Sequence, residues 1–413
     1  MSGPKSFEIS KHVVFEAYRK VKANKGAAGV DGESIEQFEA DLKGNLYTLW
    51  NRMSSGTYFP PPVRMVEIDK PGGSGVRVLG VPTVADRIAQ TVAAMYLEPE
   101  VEKIFHPDSY GYRPGRSALD AVGACRERCW RTDWVIDMDI QGFFDNLDHD
   151  LVLKAVAHHT DQRWVLLYVQ RWLSAPLQRQ DGTLLARDRG SPQGSAISPL
   201  LANLFMHYAF DVWMDRQLPG VRFERYCDDV VVHCRSQAEA LRVRSAIAAR
   251  LAECGGLRLH PDKTRIVYCR DGRRRGSSEH TSFTFLGYGF RSRMVRTKAG
   301  SYFFGFNPAI SDQAAKRIRA QIRSWRLHLR SGSTLADLAR EINAVVRGWI
   351  SYYGRFYRSR LHFSLNRIND YLVRWIMQKF KRYRRRRMRA WEALSRAARL
   401  YPGMLTHWQI APP

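Results

Sequence analysis

The chain has 413 residues, 45% hydrophobic and 12% aromatic, and 65 Lys and Arg stand against 40 Asp and Glu for a formal net charge of +25. That apolar fraction supports a sizeable core, which excludes a disordered basic tail as the whole molecule, and no apolar run approaches the ~20 residues a membrane helix needs. The start, MSGPKSFEIS, lacks the charged-then-apolar plan of a secretory signal.

At roughly 150 residues per domain the length predicts two or three domains. In chain order, Val13, Val14, Ala17, Tyr18 and Val21 fall at helical spacing, and the first 60 residues read as helical until glycines break the pattern in KANKGAAGVDG. Pro60, Pro61 and Pro62 stop the next helix ahead of an alternating run, Val63, Met65, Val66 and Ile68. PGGSG between Lys70 and Arg77 reads as a turn, giving a hairpin with a cation on each arm. Helical period returns from Thr83 to Leu97. WVIDMDI, residues 134–140, predicts a short strand, and Asp148 is a natural N-cap for a helix from His149. FERYCDDVVVHC, residues 223–234, predicts two strands joined at an Asp-Asp turn. A helix from Ala238 to Glu253, a strand from Thr264 to Cys269 and an exposed turn at RDGRRRG follow. Beyond residue 308 no strand is predicted, and Leu335, Leu338, Ile342, Val345, Trp349 and Tyr352 form the stripe of an amphipathic helix. The layout is a mixed α/β body followed by an all-helical basic segment.

Six cysteines, Cys125, Cys129, Cys227, Cys234, Cys254 and Cys269, include no C-x-x-C pair and complete no zinc spacing with histidine. They read as buried free thiols of a reducing compartment. His158–His159 reads as a helix end rather than a metal site. The charge is uneven. Residues 301–413 hold 23 Lys and Arg against 5 Asp and Glu, and 18 of the 48 aromatics. Cations interleaved with Trp and Tyr suit a surface that neutralises phosphates and stacks on bases. A solvated basic face or an acidic lipid would satisfy the charge alone; nucleic acid is the favoured partner.

Asp139 closes an apolar strand and Asp228–Asp229 follows about 90 residues later. If the two strands are neighbours, three carboxylates converge at one sheet edge, where like charges resist joint ionisation unless divalent cations relieve them. Hard oxygen ligands with open positions suit Mg²⁺, and two ions about 4 Å apart can serve an in-line displacement. Taken singly, an Asp-Asp turn is ordinary turn chemistry and an Asp ending a strand is an ordinary cap.

Seven segments nevertheless resemble, in order, the reverse transcriptase family of the group II intron-encoded type: VLGVPTVADRIAQ at 78–90, SYGYRPGRSALDAV at 109–122, DIQGFFDNLDH at 139–149, GSPQGSAISPLLANLF at 190–205, YCDD at 226–229, LHPDKTRI at 259–266 and FTFLGYGF at 283–290. INAVVRGWISYYGRFYRS at 342–359 resembles the maturase, or thumb, domain of such proteins. The resemblance implies an α+β right-hand polymerase with fingers, a palm carrying an antiparallel sheet, and an α-helical thumb. Its parts would be an N-terminal extension and fingers over 1–90, remaining fingers and palm over 91–305, thumb or maturase domain over 306–378 and a basic DNA-binding tail over 379–413.

By the same resemblance, Asp139 and Asp228 coordinate both Mg²⁺ ions with the Ile140 carbonyl, and Asp229 completes the acidic cluster. Phe144 matches the steric gate under C2′ of the sugar; Phe143 and Phe144 cannot both face the pocket if the segment is extended. Lys70 and Arg77 match the hairpin cations that hold the triphosphate, and Gln193 matches the pocket glutamine. Arg113 and Arg116 match the template-lying segment, and Leu286 and Gly287 the primer grip. KRYRRRRMR at 381–389 packs seven basic residues into nine; Lys381, Arg382, Arg384, Arg385, Arg386 and Arg387 are expected to anchor nucleic acid through counterion release. Three positions depart from the pattern: Cys227 where Ala is commonest, an oxidisable side chain near the primer terminus; Ser195 where a second Gly is usual; and Leu119 in place of His.

The implied function is RNA-directed DNA synthesis coupled to group II intron splicing and mobility, without the family's C-terminal HNH nuclease. The implied partners are an RNA template, a DNA primer, dNTPs, intron RNA and target DNA, in the bacterial cytoplasm or on the nucleoid, with a homodimer left open. Two alternatives stand beside it: an RNA-binding splicing cofactor with dispensable polymerase activity, and a domesticated reverse transcriptase in defence, repair or CRISPR adaptation.

Overall fold

The computed structural model describes residues 6–69, 75–297 and 299–413. Helices and antiparallel sheet build two compact units. The first draws on residues up to Ser117, Met138–Val230 and Leu241–Thr264; the second on Ala118–Asp137, Val231–Ala240 and Arg265–Pro413. Among the described residues no helix is long and apolar enough to cross a membrane.

In the first unit the helix Lys11–Asn24 turns Val14, Ala17, Tyr18 and Val21 inward at the spacing its sequence predicts. The strands Val63–Asp69 and Val76–Val81 form an antiparallel hairpin with Asp69 opposite Val76; Lys70 lies outside the described residues. The next helix, Val84–Glu102, is capped by the Thr83 hydroxyl on the Asp86 N–H and continues past Pro99. It outruns the predicted end at Leu97 because Val101 is as fully buried as Leu97. The helix Ser198–Met206 passes into a π-helical turn, His207–Asp211, and then Val212–Gln217. Asp148 caps the helix His149–Ala157 by accepting from the Leu151 N–H.

A four-stranded sheet takes Arg222–Tyr226, Asp229–Cys234, Trp134–Met138 and Arg265–Tyr268 in that spatial order. Its central strands are apolar at consecutive positions, and Val135, Ile136, Val230, Val231 and Val232 are fully buried.

The second unit contains a three-stranded antiparallel sheet, Ser282–Phe285, Tyr288–Arg296 and Tyr302–Ile310. The last strand reaches beyond residue 308 because Ala309 and Ile310 are buried. Helices Asp312–Ser324, Leu335–Tyr353, Ser359–Lys379 and Arg387–Leu400 follow and share one core around Ile318, Leu338, Ile342, Leu365, Leu372 and Leu394. In Leu335–Tyr353 the buried stripe includes Ala339 and Val346. This turns the predicted Val345 to its exposed edge, 42% accessible.

Candidate active site

Tyr226 ends one strand and Asp229 opens the next, so the turn is Cys227–Asp228 rather than the Asp-Asp pair expected from sequence. Cys227 has φ 61° and is the only one of the two turn residues in the left-handed region. That is the sign pattern of a type II′ hairpin turn, whose first position favours glycine. The corner is held from one side by Gly111, whose backbone comes so close that an added Cβ would lie 2.6 Å from the Cys227 nitrogen. The same segment runs along the strand: the Tyr110 N–H donates to the Arg225 carbonyl (2.8 Å), and the Arg225 N–H to the Asp108 carbonyl (2.9 Å).

Asp139 follows directly on the strand Trp134–Met138. Its N–H donates to Thr264 Oγ1 (3.3 Å), and its carbonyl accepts from the Thr264 hydroxyl (3.2 Å) and the His260 N–H (2.8 Å). Ile140 forms a bridge with Leu259. The LHPDKT segment therefore clamps the main chain on which Asp139 sits. Burial pushes the Asp228 carboxyl above its ordinary value and the Asp139 charge adds to this, while an Asp228 backbone N–H, Arg77 and the Cys227 thiol oppose it. Lys263 Nζ lies 3.4 Å from Asp139 Oδ2. Sequence reasoning did not single out this lysine, although it lies in a segment already marked. The donor set fits Mg²⁺: hard carboxylate oxygens from Asp139 and Asp228, electrostatically coupled, with half-buried Asp229 and the Ile140 carbonyl adjacent. The Cys227 thiol is 2% exposed, and burial, followed by the Asp228 charge, pushes it up to about 12. Burial thus leaves little reactive thiolate on a side chain that its sequence marks only as oxidisable.

Arg77 Nε donates to Gln193 Oε1, and the Gly80 N–H donates to the Gln193 carbonyl (2.8 Å). Gly194 (φ 115°) must be glycine, because a Cβ would lie 2.7 Å from the Gly80 oxygen. The neighbouring Ser191 N–H donates to the Phe144 carbonyl (2.7 Å). Phe143–Asp145 is a single 3₁₀ turn rather than an extended segment; it buries Phe143 and leaves Phe144 half-buried, with the rings edge-on at 5.4 Å. The strand carrying Arg77 and the segments carrying Gln193 and Phe144 are thus linked to one another.

The Ser195 hydroxyl (2.6 Å) and the Ala196 N–H (2.8 Å) donate to Gln90 Oε1, and Gln90 Nε2 donates to Asp86 Oδ2 (2.9 Å). Asp86 also accepts from the Tyr58 hydroxyl and the Trp172 N–H, yet burial lifts its carboxyl to about 6. Ser195 is therefore a tether that a second glycine could not supply. Asp86 and Gln90 went unmarked in the sequence, where two polar residues four apart in an apolar helix were the available signal. Tyr112 (φ 54°) went unmarked too; its ring lies 5.8 Å from that of Tyr226.

The two arginines of SYGYRPGR part company. Arg113 is buried, with Nε (3.1 and 3.0 Å) and Nη2 (2.6 Å) on Glu102 and Nη1 on the carbonyls of His106 and Ser109, both at 2.7 Å. Its donors serve the fold, and Arg116 alone is exposed. In the second unit Leu286 (φ 50°) and Gly287 (φ 79°) form a two-residue hairpin turn with both φ positive, as type I′ requires. The Tyr352 hydroxyl donates to the Leu286 carbonyl (2.8 Å). Lys381, Arg382 and Arg384–Arg387 are all exposed. Arg387 pairs with Asp370 at 3.2 Å, whereas Arg384, Arg385 and Arg386 make no ion pair among the described residues.

Comparison with known proteins adds family-level likeness. The profile of the reverse transcriptase (RNA-dependent DNA polymerase) family matches residues 68–290, and that of the group II intron maturase-specific domain matches 315–391. Protein YkfC of Escherichia coli (strain K12) is 31% identical, with 78% of this chain and 90% of that protein covered. Group II intron-encoded protein LtrA of Lactococcus lactis subsp. cremoris is 29% identical over 47% of this chain and 32% of its own length. The putative COX1/OXI3 intron 1 protein of Saccharomyces cerevisiae is 31% identical over 48% of this chain and 24% of its own. The chain spans most of the first relative, but a third or less of the other two.

Proposed function

The chain belongs to the reverse transcriptase family and carries a group II intron maturase-specific domain, and on that premise we propose that it copies RNA into DNA and assists a group II intron RNA in splicing and mobility. The observation that carries the polymerase reading is the placement of Asp139 directly after one strand and of Asp228 in the turn between two others of the same sheet, within the stretch that matches the reverse transcriptase family. Those two carboxylates, with Asp229 and the Ile140 carbonyl, would hold two Mg²⁺ ions, which when bound activate a primer 3′-hydroxyl and stabilise the leaving pyrophosphate. Arg77, with Lys70, offsets the charge of the incoming triphosphate through a guanidinium already oriented by Gln193. Phe144 presents its ring where a ribose 2′-hydroxyl would clash. The Leu286–Gly287 turn supports the primer strand, and the exposed cations from Lys381 to Arg387 neutralise phosphates. The polymerase would occupy residues 1–305, the maturase domain 306–378 and the basic tail 379–413.

Primer extension on an RNA template with Mg²⁺ and dNTPs tests this. Wild type extends and Asp139→Ala does not; equal extension by the two sinks the polymerase reading. The match to a maturase-specific domain favours a second reading, a splicing cofactor whose polymerase is dispensable. That reading requires Asp228→Ala combined with Asp229→Ala to leave intron splicing at the wild-type rate.

A further inference from the structure

We infer that Arg225 is a positioning residue for the metal-binding turn, acting through the peptide that joins Cys227 to Asp228; the inference rests on the two-ion reading of Asp139 and Asp228. Arg225 and Asp211 are both wholly buried and form a bidentate pair, Nε to Oδ1 at 2.7 Å and Nη2 to Oδ2 at 2.6 Å. The third direction of the guanidinium is aimed elsewhere: Nη1 donates to Asn203 Oδ1 (2.9 Å) and to the Cys227 carbonyl (3.1 Å). Asn203 Nδ2 in turn donates to the Gly111 carbonyl (2.6 Å), and Gly111 packs against the Cys227 nitrogen. The left-handed corner is gripped on both sides, its carbonyl by Arg225 and its nitrogen by Gly111. The plane of the Cys227–Asp228 peptide sets where the Asp228 carboxylate starts.

A buried ion pair is a poor way to gain stability, since desolvating two charges offsets most of their attraction and apolar residues of similar volume do as well. What an apolar pair cannot do is hold a carbonyl at a fixed angle. A lysine cannot do it either, because its point charge lacks the planar fork that grips Asp211 while reaching Cys227. Asp211 closes the π-helical turn His207–Asp211, and such turns commonly re-aim a side chain at a functional site. Since Asp211 balances the Arg225 charge, the network orients Asp228 without adding net charge to the cluster.

Two variants test the inference: Arg225→Lys, and the apolar pair Asp211→Leu with Arg225→Met. Mn²⁺ binding to the full chain with template–primer is read from loss of the free-ion EPR signal, alongside thermal melting and primer extension against Mg²⁺. The apolar pair should melt close to wild type, bind Mn²⁺ about ten-fold more weakly and lower kcat by about 10–100-fold, the range for residues that orient metal ligands. The KM for dNTP should stay within about two-fold, because uniform substrate binding is untouched. If the folded variants bind Mn²⁺ and turn over as wild type does, the inference is overturned while the two-ion reading stands. If neither variant folds, the pair serves stability alone and the inference is equally overturned. Asp228→Asn in the wild-type background separates the two ideas: Mn²⁺ binding indifferent to it defeats the two-ion reading itself.

Discussion

Phe144 and Cys227 show how one side chain of the candidate site is constrained by its backbone. Phe143 fills the core in the 3₁₀ turn, which leaves Phe144, the proposed gate, as the more accessible ring of the pair. Phe144→Ala should therefore reduce discrimination against ribonucleotides by about 10–100-fold, the scale of removing a steric contact. The ratio of kcat/KM for dNTP over NTP measures it, and an unchanged ratio would remove the gate role. Cys227 is buried, with its thiol held up to about 12, so hardly any thiolate exists at neutral pH. Maleimide applied to the folded protein should leave Cys227 unlabelled by mass spectrometry and extension unimpaired; labelling of that peptide would contradict the burial. Asp139, Asp228 and Asp229 stood out in the sequence because seven segments in family order surround them. The buried roles of Arg113 and Arg225 did not, since an arginine in sequence looks the same whether its fork meets solvent or closes on a buried carboxylate. Only tertiary burial separates Arg116 from Arg113.

At the scale of elements, the helix Val84–Glu102 is coupled to the loop that carries Gln193 through Asp86, Gln90 and Ser195. The native Asp86 carboxyl titrates at about 6, above its ordinary 3.8, because burial outweighs three hydrogen bonds. A carboxyl raised on folding holds its proton longer in the native state, so the destabilisation from ionising it is absent below about pH 4, grows between 4 and 6, and is complete above 6. Relative to Asp86→Asn, wild type should lose up to roughly 3 kcal/mol across that window. Melting of both proteins from pH 4 to 7 checks the sign; a constant difference would show that Asp86 titrates normally. In the second unit the Leu286–Gly287 turn leans on the Tyr352 hydroxyl. Tyr352→Phe removes a hydrogen bond worth about 1 kcal/mol and should weaken primer binding, read as faster dissociation of a labelled template–primer. Helices and hairpins were legible from period and turn residues. The polar links between them were not, because Asp86 and Gln90 look like ordinary surface positions until the helix is known to be buried.

At the scale of the molecule, charge and fold follow different divisions. The two compact units are assembled from discontinuous segments, with residues 118–137 and 231–240 in the second. No composition shift marks those joins. The charge, by contrast, was legible from counting: 23 cations against 5 anions lie in residues 301–413. What counting could not separate is which cations are available. Arg387 answers Asp370, and Arg330 answers Glu341, so neither is a full charge for an outside phosphate. Arg384, Arg385 and Arg386 are exposed and make no ion pair among the described residues. They protrude ahead of the helix Arg387–Leu400, which is anchored by buried Ala390 and Leu394, so their removal should spare the fold. Each duplex phosphate contact steepens the fall of log K with log salt by about 0.9. Replacing all three arginines by serine should then flatten that slope by up to about 2.7 on duplex DNA, with the largest loss of affinity at low salt. Replacing Arg396 and Arg399, on the same helix beyond the basic run, serves as the comparison: an equal flattening there would mean that diffuse net charge rather than the run itself does the holding.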